Sequence, residues 1–122
     1  MYELTIISDF SAAHRLMGYE GECENLHGHN WKVEVSVRVK ELDNIGLAID
    51  FKTLKFELEK VVEKLDHKYL NEIPPFDREN PSSENIARFI FNELAKSLNS
   101  SSIMVSKVKV WESERAAAAY YE

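Results

Sequence analysis

The stretch Trp31-Lys32-Val33-Glu34-Val35-Ser36-Val37-Arg38-Val39-Lys40 decides the fold class. Its odd positions, Trp31, Val33, Val35, Val37 and Val39, are apolar, and its even positions, Lys32, Glu34, Ser36, Arg38 and Lys40, are polar or charged. A period of two with one dry and one wet face marks a strand in a sheet packed on one side only. Immediately upstream stand His27-Gly28-His29. Both imidazoles share the parity of Trp31 and Val33, so both leave the strand on its dry side.

Toward the N-terminus, Tyr2 to Phe10 alternate more weakly, with Tyr2, Leu4, Ile6 and Phe10 on one parity and Glu3, Thr5 and Asp9 on the other, as in a half-buried strand. If the two strands form an antiparallel pair across the connection from Arg15 to Leu26, paired residue numbers sum to about 41 to 43. His14 then lies opposite His27 or His29, on the parity of Leu4, Ile6 and Phe10. Three imidazoles thus converge on the core side at the loop end of a hairpin. Neutral ring nitrogens in that arrangement suit Zn²⁺ better than Mg²⁺ or Ca²⁺, which favour oxygen donors.

Toward the C-terminus the period changes. After Asp50, a plausible N-cap, Phe51, Leu54, Leu58, Val61, Val62 and Leu65 recur at helical spacing and predict an amphipathic helix of about four turns. Pro74, Pro75 and Pro81 punctuate a loop, and Ser82 or Ser83 caps a second helix with Ile86, Phe89, Ile90, Leu94 and Leu98 as its stripe. Ile103 to Glu112 returns to strand character. Ala116 to Tyr121 is ambiguous, because alanines favour helix and the aromatic ending favours strand. The predicted order is ββααββ: an α+β single domain over residues 1–122, with a four-stranded antiparallel sheet and two helices on one face.

Composition narrows the function classes. The chain has 122 residues, with 15 Lys plus Arg against 21 Asp plus Glu, a formal net charge of -6. That balance, without a basic tract, argues against nucleic acid or an anionic membrane as the main partner. No window is apolar enough for a membrane span and the N-terminus has no leader pattern, so a cytoplasmic protein is expected. The single cysteine, Cys23, cannot form an intrachain disulfide, which points to a reducing compartment.

Cys23 has two readings. As a fourth ligand beside His14, His27 and His29 it would close a structural zinc site. Alternatively, three histidines hold the metal, one position stays open, and Cys23 is a nearby acid/base whose thiolate the metal favours. Asp66-His67 follows the first predicted helix, and Asp66 could orient or charge-stabilise a histidine; the competing reading is a helix-terminal His⁺ resting on the helix dipole. Glu112, beside Trp111, is a solvated strand end or a carboxylate that accepts two parallel N–H bonds from a guanidine-like ring edge.

Six segments in this order resemble one known family: Phe10-Ser11-Ala12-Ala13-His14, Cys23-x3-His27-Gly28-His29-Asn30-Trp31, Asp50-Phe51, Leu65-Asp66-His67-x2-Leu70-Asn71, Pro81-Ser82-Ser83-Glu84-Asn85 and Val110-Trp111-Glu112. They look like the 6-pyruvoyl-tetrahydropterin synthase family, and the Cys-x3-His spacing looks like its 6-carboxy-5,6,7,8-tetrahydropterin synthase branch. Two positions depart from the family pattern: Trp31 where tyrosine is commoner, and Ser82 where threonine is usual.

The resemblance implies a tunnelling fold, usually a homohexamer built as a dimer of trimers with active sites between subunits. It implies His14, His27 and His29 as zinc ligands and Cys23 as the catalytic thiol. It makes Asp66 and His67 the relay partners, serving the zinc of a neighbouring chain, and Glu112 the anchor of a pterin ring. The implied reaction is zinc-dependent conversion of 7,8-dihydroneopterin triphosphate to 6-carboxy-5,6,7,8-tetrahydropterin, with release of acetaldehyde and triphosphate, in 7-deazapurine (queuosine or archaeosine) biosynthesis. The alternatives are the pyruvoyl-forming reaction, dihydroneopterin cleavage in folate synthesis, and a non-catalytic zinc- or pterin-binding protein.

Overall fold

In a computed structural model that describes residues 1–18 and 25–122, the element order is β1 (Tyr2–His14), β2 (His27–Val39), α1 (Phe51–Val62), β3 (Lys68–Tyr69), α2 (Ser83–Leu98), β4 (Ile103–Ser113) and β5 (Ala116–Tyr121). The strands form one sheet in the order β3-β1-β2-β4-β5. Every pairing is antiparallel except β1 with β3, which is parallel. The sheet therefore has five strands where the sequence predicts four. β3 is only two residues long, too short to carry a hydrophobic period.

The β1–β2 ladder runs from Tyr2↔Val39 to His14↔His27. His14 faces His27 directly and Ala12 faces His29. Burial follows the predicted parity: Ile6, Phe10, Ala12 and His14 on β1, and Trp31, Val33, Val35, Val37 and Val39 on β2, all lie in the core. A one-residue slip would turn this entire apolar set to solvent, so burial itself holds the register.

β4 breaks the alternation. Val105 pairs with Val37 but Lys107 pairs with Ser36, leaving Ser106 as an extra residue. Its hydroxyl donates to the Ser36 carbonyl at 3.0 Å. The bulge moves the buried parity from Val105 to Val108 and Val110. Glu112 continues that shifted parity and faces the core side, while Trp111 faces the other way. A second irregularity between Trp111 and Ser113, opposite β5, leaves Glu112 itself unpaired.

Both helices start where the sequence predicts. Asp50 caps α1 by accepting Lys52 N–H at 2.8 Å, and Ser82, not Ser83, caps α2 by accepting Asn85 N–H at 3.1 Å. Each such cap is worth about 1 kcal/mol. α1 is shorter than expected, at 12 residues, because the chain turns after Val62 to bring Asp66 back to β1. Phe51 stands outside the core at 52% exposure, so the buried stripe begins at Leu54. Ala116–Tyr121 is a strand; pairing with β4 and the packing of Tyr120 on Phe91, ring centroids 5.0 Å apart, override alanine's helix propensity.

Candidate metal centre

His14, His27 and His29 meet where β1 and β2 reach their loop end. Their ring centroids lie 4.6, 5.1 and 4.7 Å apart, each pair edge to face. Trp31 forms the floor beneath His14 and His29, at 4.9 and 5.1 Å, and its indole N–H donates to the Ala12 carbonyl at 3.2 Å. The bulged end of β4 adds Glu112. One donor atom from each of the four residues lies within 4.8 Å of all the others, a set that could hold a metal ion.

Hydrogen bonding assigns the ring nitrogens. His14 Nδ1 lies 2.8 Å from the Pro81 carbonyl and His27 Nδ1 lies 2.7 Å from the Asn25 carbonyl. A carbonyl only accepts, so both Nδ1 atoms carry the proton and, in the neutral rings, both Nε2 atoms present lone pairs. Yet His14 Nε2 and His27 Nε2 face each other at 3.0 Å. Two lone pairs cannot bond each other. A shared cation satisfies both, and two nitrogens on one tetrahedral Zn²⁺ stand about 3.3 Å apart.

His29 Nε2 points into the same cluster. It is buried without a hydrogen-bond partner, with Glu112 Oε1 2.9 Å away as an ion-pair contact. The same oxygen is 3.5 Å from His14 Nε2. Burial pushes the pKa of His14 below its ordinary 6.5, only partly opposed by the Pro81 carbonyl. His29 is lowered too, again chiefly by burial, with the Glu112 carboxylate pulling the other way. Neutral imidazoles beside one carboxylate are the protonation states that a divalent cation requires.

Asp66 and His67 are not part of this cluster. They lie on the outer edge of β1, where Asp66 Oδ1 accepts Ser11 N–H at 2.9 Å and His67 N–H donates to Ser11 O at 2.6 Å. The Ser11 N–H, more than the adjacent His67, holds the Asp66 carboxyl below its usual 3.8. Asp66 Oδ2 contacts His67 Nδ1 at 3.0 Å, and the imidazole projects outward with its side chain 83% exposed. His67 has φ 58°, a left-handed conformation uncommon for a non-glycine residue, which ends the α1 turn and starts β3. Cys23 lies outside the described residues.

Two features of the centre lacked a sequence signal strong enough to find them. The carbonyls of Pro81 and Asn25 are backbone groups, which no residue type announces. Glu112 had one: in Val105-Ser106-Lys107-Val108-Lys109-Val110 the apolar spacing lengthens from two to three and back, the mark of a bulge.

The family description "6-pyruvoyl tetrahydropterin synthase" matches residues 3–122. A putative 6-carboxy-5,6,7,8-tetrahydropterin synthase of Archaeoglobus fulgidus is 46% identical over 110 residues, covering 89% of this chain and 86% of the relative. A 6-pyruvoyl tetrahydrobiopterin synthase of Dictyostelium discoideum is 35% identical, covering 91% and 89%. Among solved structures, the 6-pyruvoyl tetrahydropterin synthase of Caenorhabditis elegans superposes with a TM-score of 0.89 at 29% identity, covering 99% of this chain and 95% of that one. These matches over nearly the full length show that the chain belongs to the 6-pyruvoyl tetrahydropterin synthase family.

Proposed function

We propose that this pterin synthase is a zinc-dependent carbon–carbon lyase that converts 7,8-dihydroneopterin triphosphate to 6-carboxy-5,6,7,8-tetrahydropterin, with release of acetaldehyde and triphosphate, in 7-deazapurine biosynthesis. The observation that carries the reading is the meeting of the His14 and His27 lone pairs beside His29 and Glu112. The A. fulgidus relative's name favours the carboxy-forming branch. A three-imidazole donor set with one carboxylate favours zinc over the harder divalent ions.

His14, His27 and His29 would hold the ion, which when bound supplies Lewis-acid polarisation of the substrate's side-chain oxygens. Glu112 leaves its place beside His29 to accept two parallel N–H bonds from the pterin's guanidine-like edge, which sets the side chain against the metal. Cys23 exchanges protons at the side-chain carbons. His67, oriented by Asp66, exchanges them at the oxygens.

His67 is outside its own chain's histidine cluster and its side chain is 83% exposed, so the pair would serve the site of a neighbouring subunit in a homohexamer arranged as a dimer of trimers. Among the described residues no helix is long and apolar enough to cross a membrane; the setting we assign is cytoplasmic.

The test is to incubate the zinc-loaded protein with 7,8-dihydroneopterin triphosphate and identify the products. Acetaldehyde with 6-carboxytetrahydropterin is expected; a 6-pyruvoyl product would move the chain to the other branch, and no turnover would leave a binding protein. In the same assay Cys23→Ala should retain zinc and lose turnover by roughly 10² or more. Loss of zinc in that variant would instead make Cys23 a ligand.

A further inference from the structure

β1 leaves its partner β2 at His14, but its outer edge stays bound beyond that point. Ser11 is held by Asp66 and His67, and Ala13 pairs with Tyr69 of β3. Next on the same edge is Arg15, whose N–H donates to Asn71 Oδ1 and whose carbonyl accepts Asn71 Nδ2–H, both at 2.9 Å. Met17 follows, with its N–H on Asn80 Oδ1 and its carbonyl on Asn80 Nδ2–H, both at 2.8 Å. A carboxamide has the donor and acceptor of a peptide group, so two asparagines continue the edge as a neighbouring strand would.

The two asparagines differ in what lies behind them. Asn80 precedes Pro81, whose carbonyl accepts His14 Nδ1–H and so aims the opposite ring nitrogen into the cluster. The Asn80 carbonyl is itself held by Asn85 Nδ2–H at 2.8 Å. Asn85 Oδ1 and Glu79 both accept from Arg88 Nη2 at 3.0 Å. The proline ring locks φ at Pro81 and the peptide bond is planar, which leaves ψ as the one soft dihedral between the Asn80 backbone and the Pro81 carbonyl.

We propose that Asn80 is a positioning residue for the metal cluster: by clamping the Met17 peptide on one side while Asn85 clamps its own carbonyl, it sets the Pro81 carbonyl that orients His14. This rests on reading the cluster as a metal centre. Outer partners of ligating histidines contribute about 10- to 100-fold to metal affinity.

The experiment uses the full chain, stripped of metal, and titrates zinc against a chromophoric chelator, with the visible absorption of the cobalt(II) form as a second readout. Asn80→Asp keeps the acceptor for Met17 N–H but sets a carboxylate oxygen against the Met17 carbonyl. Asn71→Asp does the same at Arg15 with no connection to Pro81. Asn80→Asp should weaken zinc binding about 10- to 100-fold and shift the cobalt spectrum. Asn71→Asp should lower the melting temperature comparably while holding zinc affinity within about threefold.

If Asn80→Asp does not fold, Asn85→Ser, which removes the donor to the Asn80 carbonyl, carries the same comparison. Wild-type affinity in the variant, or equal losses in the Asn80 and Asn71 variants, overturns the proposal. A wild-type chain that takes up no zinc overturns the metal reading as well.

Discussion

The histidine cluster and the Asp66–His67 pair are two groups of polar side chains that both meet β1, one through His14 and the other through the Ser11 backbone, yet they are built in opposite ways. The cluster lies on the buried face of the β1–β2 hairpin: His14 is 1% exposed, and its orientation follows from strand parity and a buried carbonyl. The pair lies on the outer edge of β1, with the His67 side chain 83% exposed and its partners supplied by the Ser11 backbone. The four residues of one group meet within a single chain. The other has a defined orientation and an imidazole open to solvent, which is why we assign it to a neighbouring subunit's site.

The largest effect expected from breaking this contrast comes from His27→Ala. Removing one of three imidazoles should abolish zinc retention and lower turnover by about 10³ or more. His67→Ala should retain zinc by metal analysis and lose roughly 10² to 10⁴ in turnover. The sharper version mixes the two variants after dissociation and reassembly. If a site draws on two chains, random mixing restores about a quarter of the sites. Mixed assemblies as inactive as their parents would put all the residues in one chain.

Glu112→Gln comes next, because Glu112 stands between the two roles that a carboxylate can take here. As a ring anchor it loses a charge-assisted pair, so KM should rise about 10- to 100-fold while zinc content stays near that of wild type. Substantial zinc loss at unchanged KM would make it a metal ligand.

The smallest effect concerns pH in the metal-free chain. His14 and His29 have folded pKa values below 6.5, so the unfolded chain binds more protons than the folded one between those values and 6.5. Stability is therefore level above pH 6.5 and declines as pH falls below it, to be read as a falling melting temperature. Asp66 behaves similarly at lower pH: its depressed pKa contributes stability above about 3.8 that is lost as pH falls through the folded value. Zinc should raise the melting temperature most where all imidazoles are neutral. A metal-free melting temperature independent of pH from 7 to 5 would contradict buried, neutral histidines.

How much of this was legible beforehand depended on the range over which each feature is decided. Trp31 to Lys40 showed its face, its strand and its direction, because side-chain parity is a property of consecutive residues. The hairpin register was legible to within one pairing, and burial selected His14 opposite His27. The helix caps at Asp50 and Ser82 were equally local. β3 was not legible, since its two residues exist as a strand only because the left-handed turn at His67 lays them on β1. Phe51 sits on a helical period but above the packed stripe, which periodicity alone does not distinguish.

The sequence by itself determined that this protein is an α+β chain with three histidines on the dry side of one hairpin, because local alternation and the cost of exposing Trp31 and four valines admit only one facing. Tertiary structure decided the rest of the centre. The bulge at Ser106 turned Glu112 toward the imidazoles, the carbonyls of Pro81 and Asn25 chose which ring nitrogen is free, and the return of the α1 turn to Ser11 carried Asp66 and His67 to the opposite edge. All but the Asn25 carbonyl, which is two residues from His27, depend on groups meeting across long sequence separations, and backbone groups are the same at every residue.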